Sequence, residues 1–65
     1  MSREVFFEFH QVGNFVKVSA IDAESGLEVS IMGPANAAPV TLRANALRKL
    51  EAQLRKQGLE SQKPR

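Results

Sequence analysis

The chain has 65 residues, 43% of them apolar and 25% charged, which fits one small globular domain and excludes a disordered chain or a multidomain enzyme. It contains no Cys, which excludes disulfides and Cys-ligated zinc. The net charge of +2 is split unevenly: residues 1–33 carry two basic and five acidic side chains, and residues 34–65 carry seven basic and two acidic ones. The halves therefore attract each other, and the basic half offers a surface to an acidic partner.

The opening MSREVFFEFH has charges at Arg3, Glu4 and Glu8 and no long apolar run. It reads as neither a signal peptide nor a membrane span, so a cytoplasmic protein is expected. From Glu4 the first strand begins, EVFFEFHQ over residues 4–11. A second, FVKVSAID, follows over 15–22, and a third, LEVSIM, over 27–32. All three are dense in Val, Ile and Phe and are separated by turn residues. Gly13-Asn14 is a two-residue hairpin signal, and Asp22-Ala-Glu-Ser-Gly26 is a second turn.

The two turns give registers that agree. The first sets Val12 opposite Phe15, Phe9 opposite Val18 and Phe7 opposite Ala20. The second sets Ala20 opposite Val29 and Val18 opposite Ile31. Together they place Val5, Phe7, Phe9, Val16, Val18, Ala20, Leu27, Val29 and Ile31 on one face. A one-residue slip in either hairpin would scatter this set.

After the Gly-Pro-Asn-Ala loop of residues 33–39, VTLRANALRKLEAQLRKQG is rich in helix formers. Val40, Leu47, Leu50 and Leu54 recur at helical spacing as one stripe. Pro39 is compatible with a first helical turn and Gly58 with a C-terminal cap. Arg43 projects toward the stripe, its stem on the sheet, where an acidic strand residue is its expected partner. Residues 59–65 read as a flexible tail. The expected fold is α+β: a two-layer β-β-β-α domain over residues 1–58, with a three-stranded antiparallel meander in order 1-2-3 and one C-terminal helix packed on one face.

The opposite face carries Glu4, Phe6, Glu8, His10, Val12, Phe15, Lys17, Ser19, Ile21, Glu28, Ser30 and Met32. Its apolar members, Phe6, Phe15, Ile21 and Met32, either stabilise the sheet as cross-strand pairs or form a contact surface rimmed by charge. On the helix, Arg48, Lys49, Arg55 and Lys56 are assigned to the face away from the Leu stripe. They form either a solvated surface or a set of phosphate contacts.

Sites for chemistry are absent from the pattern. His10 has no second His and no Cys to complete a zinc site, and is expected opposite Lys17 with Glu8 beside it. Ser19 and Ser30 should face one another, without the Gly-x-Ser-x-Gly elbow or base that a nucleophile needs. The Gly residues make no phosphate loop. No catalytic residue, metal, cofactor or small-molecule substrate is therefore expected.

Residues 3–33, REVFFEFHQVGNFVKVSAIDAESGLEVSIMG, with the LRKLE segment of the helix, resemble a family of short uncharacterised bacterial proteins, a domain of unknown function. That resemblance labels the chain without implying chemistry. The β-β-β-α order with a basic last helix is also similar to the C-terminal half of double-stranded RNA-binding domains. Here the first helix of that module is missing, and the start of the last helix, PVTLRANAL, offers only Arg43. The sequence thus leads to a non-enzymatic interaction module, a homodimer or an accessory to a larger protein, acting through the sheet face. The alternative is RNA binding through the basic helix.

Overall fold

The computed structural model describes residues 4–58; the expected tail, 59–65, lies outside the described residues. Strands β1 (Val5–Val12), β2 (Phe15–Asp22) and β3 (Glu28–Pro34) form one antiparallel sheet in the order β1-β2-β3, followed by helix α1 (Pro39–Lys56). The fold is the expected α+β arrangement. β3 runs two residues further than anticipated, through Gly33 and Pro34, because Phe15 and Val16 continue the pairing.

Both registers hold. Phe7 pairs with Ala20, Phe9 with Val18 and Val12 with Phe15; Val18 pairs with Ile31 and Ala20 with Val29. Gly13, at φ 60, supplies the left-handed position of the first turn. Asn14 keeps a negative φ, so the hairpin uses the turn with glycine at its first central position.

The core consists of Val16, Val18, Ala20 and Val29 from the sheet and Leu42, Ala46, Leu50 and Leu54 from the helix. Burying such side chains contributes roughly 1.5–3 kcal/mol for each of the larger ones. The buried helical stripe differs from the expected one. Val40 is 66% exposed and Leu47 only half-buried, whereas Leu42 and Ala46 face the sheet. Gly33 explains the choice: a Cβ there would come within 2.5 Å of Leu42 Cδ2, so the glycine admits Leu42 against the sheet. The absence of a side chain at Gly33 thus admits the helix rotation that buries Leu42 against β3.

The helix lies over β2 and β3 and leaves much of β1 uncovered. Phe9, expected in the core, remains 42% exposed for this reason. Val5 and Phe7 line an open groove of about 380 Å³ together with Leu47, Leu50, Glu51 and Leu54. Arg43 roofs the rest of β1, its guanidinium carbon 5.8 Å from the ring centroids of both Phe7 and Phe9. The expected acidic partner is replaced by aromatic faces, to which a cation is attracted.

Candidate functional site

The period-two alternation of the strands places Phe6, Phe15, Ile21 and Met32 on the face away from α1. Phe6 pairs with Ile21, Ile21 with Glu28, Val12 with Phe15, and Lys17 with Met32. Pairing does not bury them. Phe6 is 52% exposed, Phe15 54%, Met32 58% and Val12 50%; only Ile21, on the central strand, is half-buried. Phe6, Phe15, Met32 and Val12 therefore each keep about half of their surface facing solvent. Glu8, His10, Lys17 and Glu28 are exposed among these residues.

His10 stands opposite Lys17, as expected, and is exposed. Ser19 faces Ser30 across β2 and β3 and Glu8 across β1 and β2. Ser19 is nevertheless buried, because its short side chain sits below longer neighbours on the central strand. Among the described residues, no three His, Cys, Asp or Glu side chains come together as a metal site. No described helix is long and apolar enough to cross a membrane.

The four helical cations divide into two sets. Arg48 and Arg55 point away from the sheet, seven residues apart on one line of the helix. Arg48 donates a hydrogen bond to Asn45 Oδ1 at 2.6 Å. Lys49 and Lys56 lie on the flank beside β3, and Lys49 Nζ donates to the Ser30 carbonyl at 2.8 Å. The expected single basic face is therefore split, with one of its lysines bound to the edge of the sheet. Lys49 and Lys17 do border a shallow depression of about 290 Å³ with Ser30, Ile31 and Met32.

One polar feature is absent from the sequence-based candidates. Asp22 is fully buried at the end of β2. Its Oδ2 accepts from the Ser25 amide at 2.8 Å and from Ser25 Oγ at 2.7 Å, while Leu27 N–H donates to Ser25 Oγ at 3.1 Å. The signal is present in the sequence, since Asp22 shares the parity of Val16, Val18 and Ala20. The carboxylate organises the second turn by replacing backbone acceptors with its own oxygen.

Three antiparallel strands followed by one helix place the chain among small α+β domains. The chain is a member of the family described as a domain of unknown function, DUF6898, whose model matches residues 2–57. No curated protein and no solved structure matches it.

Proposed function

We propose that this protein is a non-enzymatic interaction module of the cytoplasm that docks by its outward sheet face, self-associating there or serving as an accessory to a larger protein. The observation that carries the reading is the exposure of Phe6, Phe15 and Met32, each more than half accessible on one face of one sheet. These groups sit at the two ends of the face, Phe6 beside Ile21 at one and Phe15 and Met32 beside Val12 at the other, with Glu8, His10, Lys17, Ser19 and Ser30 between them. Exposed apolar groups bordered by charge are a mark of association sites. Aromatic and Met side chains are also enriched at such interfaces.

Light scattering over a range of concentrations, at low and high salt, tests it. Apolar docking predicts association that persists in high salt, where exposed charges are screened. Phe15→Lys and Met32→Lys should each weaken that association while leaving the far-ultraviolet circular dichroism unchanged. Association that vanishes in high salt, or that these variants leave intact, would assign the contact to another surface. RNA titration of the same samples tests the helical cations: strongly salt-dependent binding lost with Arg48→Gln and Arg55→Gln would replace the proposal.

A further inference from the structure

The two edges of the sheet are treated differently. The pairing of Asp22 with Leu27 and of Asn14 with Ala35 turns the backbone groups of Glu28, Ser30, Met32 and Pro34 outward along β3. That edge is blunted at two points. Pro34 has no N–H to offer, and Lys49 Nζ occupies the Ser30 carbonyl. Proline and lysine on an edge are common devices against further strand pairing.

β1 has neither. The two-residue turn makes Val12 and Phe15 a hydrogen-bonded pair, so alternation directs the N–H and C=O groups of Val5, Phe7, Phe9 and Gln11 to the free edge. This eight-residue strand, VFFEFHQV, contains no proline and no lysine. It carries aromatic side chains on both faces, Phe7 and Phe9 toward the helix and Phe6 away from it, and the helix is displaced from it toward β2 and β3. On the helix side the strand is bordered by the open groove at Val5 and Phe7 and by Arg43 over Phe7 and Phe9.

We propose that β1 pairs antiparallel with β1 of a second copy of this chain, joining two sheets into one of six strands. A two-fold axis perpendicular to the sheet keeps both helices on the same side and requires facing residues of equal parity. Among the registers this permits, the one centred on Phe9 is complementary. It sets Glu8 against His10 of the partner subunit, and His10 against the partner's Glu8. Phe6 meets the partner's Val12 on the same face, and Phe9 meets the partner's Phe9 on the helix side. Centring one residue earlier sets Glu8 against the partner's Glu8, and one residue later sets His10 against the partner's His10. Like charges directly opposite are destabilising, as in the Glu8 pair, and the histidine pair forgoes the contact with Glu8. The contact differs from the outward-face docking proposed above and extends that face across the seam.

Because the chain has no Cys, thiol pairing reads the register directly. Glu8→Cys and His10→Cys chains are mixed, equilibrated and oxidised. The two positions form a non-hydrogen-bonded pair in the proposed register, with Cβ atoms close enough for a disulfide. Disulfide between the two chains should exceed that formed by a Glu28→Cys and His10→Cys control by about tenfold or more. It should persist when Phe15→Lys is added to both chains, which separates this contact from docking by the outward face. Gln11→Pro removes an edge donor that β2 does not use, and should halve the mass of the pair in light scattering. Linkage no greater than the control, or equal linkage of Glu8→Cys with itself, would overturn the proposal, as would a wild-type chain of unit mass at every concentration.

Discussion

The guanidinium of Arg43 lies 5.8 Å from the ring centroid of Phe7 and the same distance from that of Phe9. One helical cation thus bridges two aromatic rings of β1, the half-buried Phe7 and the exposed Phe9. A cation over an exposed ring contributes about 0.5–1 kcal/mol. Arg43→Ala should lower the unfolding free energy by about 1–2 kcal/mol, and Arg43→Lys by less, since the charge is kept but the planar stack is lost. Urea unfolding followed by circular dichroism checks both, and an unchanged midpoint in Arg43→Ala would show the contact to be energetically neutral.

Gly33 and Leu42 are packed so closely that a Cβ on the glycine would lie 2.5 Å from Leu42 Cδ2. In Gly33→Ala the added methyl meets Leu42 Cδ2, and either the side chain leaves its rotamer or the helix lifts. Overpacking of this kind costs about 1–3 kcal/mol. Leu42→Ala is destabilising by itself because it empties a core position. Combined with Gly33→Ala it should cost less than the two separate losses together, by about 0.5 kcal/mol or more. A double-mutant cycle in urea measures that difference. Strict additivity would mean that the two positions do not share space.

The same pair shows which parts of the fold are legible in the sequence. Strand register is legible because two turns fix it separately and both select the same apolar face. Helix rotation is less so. Hydrophobicity alone favours Val40 and Leu47, whereas the buried stripe depends on Gly33 leaving room for Leu42, a relationship across the sheet that helical spacing does not contain. The outward set Phe6, Phe15, Ile21 and Met32 follows from alternation, and its position holds. The lateral offset of the helix does not follow from any pattern within one element. Alternation and helical spacing therefore place Phe9 and Arg43 on the observed face but do not contain their observed surroundings. The edge role of Lys49 is hidden in the same way, because it depends on where the helix lies relative to β3.

The helix begins without help from a side chain. Ala38 occupies the N-cap at φ −66 and ψ 132, makes no capping hydrogen bond, and no acidic residue follows in the first turn. Its extended backbone already suits an Asp or Ser, whose oxygen can accept from the first free N–H groups. Ala38→Asp should stabilise the protein by about 0.5–2 kcal/mol, through the new bond and the favourable end of the helix dipole. For a domain of this size the melting temperature should rise by roughly 4–8 °C per kcal/mol. A melting temperature equal to or below that of the wild type would indicate that the N-terminal turn is already satisfied.

The second turn should prove the most sensitive polar point in the chain. Asp22 is fully buried and takes two hydrogen bonds on one carboxylate oxygen, from the Ser25 amide and from Ser25 Oγ. Asp22→Ala removes the acceptor for both and leaves the part-buried Ser25 amide without its partner, which costs about 1–3 kcal/mol. Ser25→Ala keeps the amide bond and loses only the hydroxyl contacts with Asp22 and Leu27, so its cost should be nearer about 0.5–1.5 kcal/mol. The order, Asp22→Ala worse than Ser25→Ala, is the prediction. Amide exchange reports it locally: Ser25 N–H should lose protection in Asp22→Ala and retain most of it in Ser25→Ala. The reverse order would mean that the hydroxyl, rather than the carboxylate, organises the turn joining β2 to β3.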